Sequence, residues 1–346
     1  MWFLPTSIIM IIGGLAVFIY SLQHIREKRQ KHLFTNELLV GFLFVLSGIL
    51  FPWTFQSHSQ NLPSSTLNFL WFSTSLLLIV EVVIWTTVLM INKKKSKRNQ
   101  NLMKERNYKD FSEYFLENWK YNFKKDVERK FLHLLPVFVI FFFWTLGMIL
   151  NSLDILAVWG LDVYSFAFWL IITVGYAFCI MFLMADLARL NRYHWLPDWA
   201  RAWYKKSMKP NELNTFISSA PLVLSFVPFV FAPFPIFAAV ALITSVADAA
   251  ASLIGKRYGK RKFNENSVKT IEGYIAGASM TFLIVIIISG VYIQWLAVNL
   301  VIIISMALVA SVIFFLVDAF FSKNITDNIL NPLGCGIGMW FIVLIL

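Results

Sequence analysis

Ten stretches of this chain are long and apolar enough to cross a lipid bilayer, and that leaves few folds open. They cover 2–22, 37–54, 67–91, 131–150, 164–185, 215–232, 235–254, 272–291, 295–317 and 330–346. A membrane helix needs about 20 apolar residues, and only helices and closed barrels satisfy their backbone inside lipid. Barrel strands are shorter and alternate apolar with polar residues; these runs do neither. The composition fits the same class, with 58% hydrophobic residues, 14% charged, 34 Phe and 13 Trp. The expected fold is therefore all-α, a polytopic integral membrane bundle of about ten transmembrane helices. The sixth and last runs are near the minimum length and are candidates for tilted or re-entrant segments.

The charges set an orientation. With the N-terminus outside, the inside segments are 23–36, 92–130, 186–214, 255–271 and 318–329, and they contain all 30 Lys and Arg residues. The outside loops hold Asp154 and Asp162 as their strong charges, with His58. A partition this complete follows the positive-inside rule and places both termini outside. The net charge of +11 then reflects topology and anionic lipid, with no nucleic-acid partner expected. No cation precedes the first run, which argues against a cleavable signal peptide. Cys179 and Cys335 fall within spans and suggest neither a disulfide framework nor a metal site.

Three regions are expected: an accessory three-helix region over 1–91, a basic amphipathic cytoplasmic segment over 92–128, and a seven-helix core over 129–346. Glu81 is an acid inside the third span, read as a packing residue. Phe111, Phe115, Trp119, Phe123 and Val127 recur every four residues and form one helical stripe. That stripe suits either the lipid headgroup region or the protein's own inner face. Leu190, Trp195, Trp199 and Trp203, set among cations, suggest a second interfacial segment.

The stretch from Ser245 to Gly273 concentrates the chemistry. A small-residue helix carries Asp248 and Ser252, then Gly255 and Gly259, with Lys256, Arg257, Lys260, Arg261, Lys262 and Lys269 nearby; Thr270 and Glu272 open the next helix. Acids bind a divalent metal, while glycine backbone and cations bind phosphates. Other polar residues fall at the same membrane boundary: Arg129, Lys130 and His133; Asp186 and Arg189; Glu212; Asp318; and Asp327 with Asn328 and Asn331. Asp186 and Arg189, three apart, could instead simply pair on one helix face. Magnesium is expected on Asp248, Glu272, Asp318 and Asp327. Arg129, Lys260 and Lys269 are candidates for a triphosphate, and one acid could take the proton of an attacking hydroxyl. G-K-R-Y-G-K lacks the spacing of a Walker A loop, and no protein-kinase motif set is present.

These residues resemble a known family. The run D-A-A-A-S-L-I-G-K-R-Y-G-K, followed by K-T-I-E-G and D-N-I-L-N-P, is similar to the CTP-dependent polyprenol and lipid kinases. That family includes dolichol kinase, phytol kinase and the yeast-type CTP-dependent diacylglycerol kinase. The R-K-F-L-H start of span four and the Asp186/Arg189 pair add to the resemblance, which covers about 125–346. Ala247 stands where the family usually has glycine, and Asp318 where many members have glutamate. The resemblance implies transfer of the γ-phosphate of CTP to a lipid alcohol at the cytoplasmic face, with Mg2+ as cofactor. It implies catalytic roles for Asp248, Asp327 and Glu272, and phosphate or nucleotide contacts from Arg129, Lys130, His133, Ser252, Gly255, Gly259, Lys260, Lys262, Lys269, Thr270 and Asn328.

Dolichol or another polyprenol is the expected acceptor, with diacylglycerol and phytol as alternatives. The related phosphatidate cytidylyltransferases carry P-G-H-G-G and D-R-x-D elements, which are absent after Lys269. A transporter is the alternative from another class, with Glu81 as its intramembrane acid. The expected location is the endoplasmic reticulum in a eukaryote or the plasma membrane in a prokaryote.

Overall fold

A computed structural model describes residues 1–24, 31–58, 62–119, 123–262, 269–321 and 325–346. The expected basic residues Arg26, Lys28, Arg29, Lys120 and Lys323 lie outside this set. The chain begins with α1 (Leu4–His24), α2 (Lys31–Leu50) and the long α3 (Ser64–Arg98). Short helices follow: α4 (Gln100–Glu105), α5 (Tyr108–Asn118) and α6 (Phe123–Leu132), which leads into α7 (Leu135–Ser152). After α8 (Ile155–Val158) come α9 (Val163–Arg192), α10 (Asp198–Ser207) and α11 (Ser219–Leu224). The last elements are α12 (Phe234–Leu242), α13 (Asp248–Tyr258), α14 (Ile271–Val291), α15 (Leu300–Leu316) and α16 (Asp327–Ile345). Among the described residues the fold is all-helical, with one isolated bridge between Lys262 and Thr270.

Nine helices among the described residues are long and apolar enough to cross a membrane, and the protein is an integral, multi-pass membrane protein. Its outer face is hydrocarbon. Ile8, Ile12, Leu15 and Ile19 of α1 are exposed, as are Leu300, Val301, Leu308 and Val312 of α15. In water this would be untenable; in lipid it is the expected surface.

The sixth apolar run differs from a regular helix. Ser219–Phe231 is built from α11 and a tight 3-10 turn over Val227–Phe231, joined through Ser225 and Phe226, with Pro221 in the first turn of α11 and Pro228 at the start of the 3-10 turn. Proline is accommodated in a first turn, where its missing N–H needs no helical partner, and so begins a short helix instead of continuing a long one. Such backbone is tolerated at membrane depth only inside protein, and Leu222, Leu224, Val227, Phe229 and Val230 are all buried. At one end Ser218 Oγ donates to Glu212 Oε1 at 3.0 Å, beside the basic loops. At the other, the Val230 carbonyl accepts from Ser57 Oγ at 3.4 Å and bonds His58 Nε2 at 3.0 Å, in the α2–α3 loop. The segment therefore reaches from one end of the bundle to the other as a buried, broken element.

The aromatic stripe of the basic segment divides between its two expected settings. Phe111 stacks on Tyr193 with ring centroids 4.9 Å apart, and Phe115 is buried. Trp119, Phe123 and Val127 are each about 40% exposed. The same division holds in the second segment, where Trp203 packs on Phe182 at 5.2 Å while Trp199 is exposed.

Helices α13 and α14 cross closely because small residues and glycines stand at the contact. A Cβ at Gly277 would lie 2.3 Å from the Phe314 ring and 2.8 Å from Ala251 Cβ. At Gly290, on the same helix, a Cβ would meet nothing within 4 Å. Gly277→Ala is therefore expected to destabilise the protein by roughly 1–3 kcal/mol through overpacking. Gly290→Ala should be neutral or stabilising by up to about 1 kcal/mol. Thermal unfolding of both variants in detergent reads the difference.

Candidate functional site

Two interrupted helices and two loops bring the chemistry together. α12 and α13 form one continuous helix, Phe234–Tyr258, with a π turn over Ile243–Ala247 immediately before Asp248. A second π turn, Val317–Phe321, ends α15 and contains Asp318. Each such turn inserts a residue and re-aims the side chains after it. Asp327 opens α16, where the helix dipole favours an acid. Lys269 and Thr270 enter from the loop before α14. The Thr270 hydroxyl donates to the Gly255 carbonyl and accepts from Gly273 N–H, both at 3.3 Å.

These groups line a cavity of about 910 Å3 at the end of the bundle that carries the basic loops. Of the residues singled out in the sequence, Arg129, Lys130, His133, Glu212, Asp248, Ser252, Gly255, Gly259, Lys269, Thr270, Asp318, Asp327 and Asn328 all line it. Gly255 is buried, and a Cβ there would lie 3.2 Å from Gly273 Cα, so close helix packing accounts for this glycine. At Gly259 a Cβ would collide with Thr270 Oγ1 and the Gly255 carbonyl. Both glycines allow the close crossing and also line the cavity.

Five expected site residues lie elsewhere: Lys260, Lys262, Glu272, Asp186 and Arg189. Lys260 and Lys262 are exposed and outside the lining. Glu272 accepts the Arg261 N–H at 3.3 Å and does not line the cavity. Gly273 fixes which face of α14 meets α13, and Glu272 points about 100° away from it around the helix.

Asp186 and Arg189 are buried and also outside the lining. Arg189 Nε bonds Asp186 Oδ1 at 3.0 Å, and its Nη1 donates to the Glu212 and Leu213 carbonyls at 3.2 and 2.7 Å. Asp186 accepts the Ile217 N–H at 2.8 Å and the Tyr204 hydroxyl at 2.9 Å. The pair clamps the loop that carries Glu212 and Ser218. Glu212 in turn accepts Lys209 N–H at 2.9 Å, and burial raises its pKa, opposed chiefly by Arg129.

The charges in the cavity neutralise one another. Lys269 Nζ bridges Asp318 Oδ2 at 2.8 Å and Asp327 Oδ2 at 2.9 Å, and Asn331 Nδ2 donates to Asp318 Oδ1 at 3.1 Å. Lys130 pairs with Asp248, and Asp126 pairs with both Lys256 and Arg129. Burial alone would lower the Lys269 pKa, but Asp327 and Asp318 raise it above its ordinary 10.5. Its contribution to stability is thus complete below pH 10.5 and is lost only as pH rises through the higher folded value. Two buried polar atoms in the lining have no partner, Arg129 Nε and His133 Nδ1. Unpaired buried groups are costly and call for an explanation.

Among the described residues, no three His, Cys, Asp or Glu side chains converge as a ready metal cage. Magnesium does not require one, because it commonly takes one or two carboxylates together with waters and phosphate oxygens. Asp248 and Asp327 fit that mode. Sequence reasoning missed Asn36, Lys209 and Thr326, which also line the cavity. Asn36 Oδ1 accepts the Thr326 N–H at 2.9 Å, so α2 helps hold the start of α16. It also missed Glu37, which is fully buried and accepts from Ser21 Oγ at 2.9 Å.

No protein-family model, curated protein or solved structure matches this chain.

Lys269→Met leaves Asp318 and Asp327 facing each other without a cation. The expected loss is of the order of 3 kcal/mol, seen as a lower thermal midpoint at pH 7. Adding Asp318→Asn should recover much of it, and no recovery would mean the bridge contributes little.

Proposed function

We propose that this chain is a CTP-dependent lipid-alcohol kinase, most like a dolichol or polyprenol kinase. It would move the γ-phosphate of CTP to a lipid hydroxyl and release CDP and a lipid monophosphate. The observation that carries this reading is the polar cavity, where carboxylates and cations are already paired and Arg129 Nε and His133 Nδ1 are buried without partners. Oxygen-rich anions suit such donors, and a nucleotide's phosphates supply them. The choice of CTP over ATP rests on the family resemblance alone.

Binding a triphosphate here amounts to an exchange of partners. Lys269 and Lys130 would turn from Asp327 and Asp248 to phosphate oxygens, with Arg129, Lys209 and Lys256 around them. The freed carboxylates would then face magnesium, which when bound neutralises the phosphate oxygens and the leaving CDP. Asp248 is placed to accept the proton of the lipid hydroxyl as the new O–P bond forms and the bond to the β-phosphate oxygen breaks. Ser252 lies one turn further along the same helix and orients groups beside it. Asp186 and Arg189 act as positioning residues through the Glu212 loop.

In this reading the broken Ser219–Phe231 segment counts as the tenth crossing, so both termini lie outside and the cavity faces the cytoplasm. The 129–346 region supplies the chemistry, and α2 completes the wall through Leu33, Asn36 and Val40.

Asp248→Asn should abolish transfer of γ-label from CTP to lipid, by at least about 100-fold, while the thermal midpoint stays within a few degrees. A variant that folds and retains activity would remove Asp248 from the mechanism.

A further inference from the structure

We propose that α6 lies in the headgroup layer of the bilayer, with Phe123, Val127 and Phe131 turned to the lipid. The membrane thereby holds in place the wall of the polar cavity that carries Arg129 and Lys130.

Length puts α6 at that depth. Most of it joins α7 in one membrane-crossing stretch, Asp126–Ser152, of 27 residues. At 1.5 Å per residue this is roughly 40 Å long, about 10 Å more than the hydrocarbon it crosses. The excess belongs at the α6 end, where Asp126, Glu128, Arg129 and Lys130 stand. The first two turns therefore lie among the headgroups.

The apolar side of α6 extends a surface that lipid already covers. Phe123, Val127 and Phe131 are 38%, 39% and 71% exposed. In steps of four and three residues they run on into Leu135, Phe138 and Phe142, exposed on the outer face of α7. A helix with one apolar and one charged side is held in the headgroup region by both. In water the same aligned side chains would be an unfavourable exposed patch.

The charged side belongs to the cavity. Asp126, Arg129 and Lys130 lie roughly 100° around the helix from the stripe, and Arg129 and Lys130 line the cavity. α6 reaches α13 through ion pairs, Lys130 with Asp248 and Asp126 with Lys256. Its junction with α7 is pinned separately, where Ser245 Oγ donates to the His133 carbonyl at 2.6 Å. Ion pairs can be repartnered by whatever enters the cavity, whereas the lipid contact persists. With a polyphosphate bound, the stripe would keep Arg129 and Lys130 at the cavity while their carboxylate partners turn elsewhere. Only this last role rests on the kinase reading; the placement of α6 does not.

Two measurements on the full chain test this. Cys179 and Cys335 are buried, so a cysteine introduced on α6 takes an NBD fluorophore selectively. Val127→Cys sits on the stripe, and Glu128→Cys is exposed roughly 100° further round the helix. Each would be labelled in nanodiscs of phosphatidylcholine and phosphatidylglycerol, then quenched by a phosphatidylcholine with a nitroxide just below its headgroup. Quenching at Val127→Cys should exceed that at Glu128→Cys by roughly threefold. Spin labels on Glu128→Cys and on Tyr258→Cys, which is exposed on α13, read the position of the wall. Their distance distribution should be narrow in nanodiscs and broaden roughly twofold when Phe123→Ser and Val127→Asn are added. Val127→Asn alone is the second variant should the double one fail to fold. Equal quenching at the two α6 positions would overturn the proposal, since the stripe would then face water or protein. Selective quenching with an unchanged distance distribution in the stripe variant would overturn its second half, leaving the wall held by ion pairs alone.

Discussion

The structure turns on how charges are kept at the end of a membrane bundle. Lys269 bridges Asp318 and Asp327, Lys130 pairs with Asp248, and Asp126 holds Lys256 and Arg129. Any one of these groups, left alone in such a setting, would cost several kcal/mol. Together they form a site that is neutralised yet easily repartnered. The same groups that satisfy one another in the absence of ligand are those a metal–polyphosphate complex would claim. The helices around them fix where each group sits. Two π turns aim Asp248 and Asp318, and a glycine-lined crossing brings Thr270 and Lys269 against α13.

Much of this was legible in the sequence because membrane helices announce themselves by length. Nine of the ten apolar runs are helices long enough to span, and most of the boundary residues, though not Asp186 and Arg189, line one cavity. A common depth could be read from run ends, since each polar group sat where an apolar run stopped. Facing could not. Glu272 is one residue from Gly273 and two from Thr270, yet points outward, because the rotation of α14 is set by packing at Gly273 and Gly277. Lys260 and Lys262 lie outside the cavity lining for a related reason: nearness in a charged loop does not fix which side chains turn inward.

The other gaps are contacts between regions distant in sequence. Asn36 reaches Thr326 across 290 positions, and no local pattern marks an asparagine as a cavity wall. The short length of the sixth run marks it as a candidate tilted or re-entrant segment, and it is indeed irregular, a short helix followed by a 3-10 turn over Ser219–Phe231.

The central claim is that the cavity transfers a terminal phosphate to a lipid. Purified protein in nanodiscs, with magnesium and a polyprenol, should be given CTP labelled at either the α- or the γ-phosphate. The account predicts that γ-label alone appears in the lipid. Lipid labelled from the α-phosphate, or folded protein that labels no lipid from either position, would contradict it.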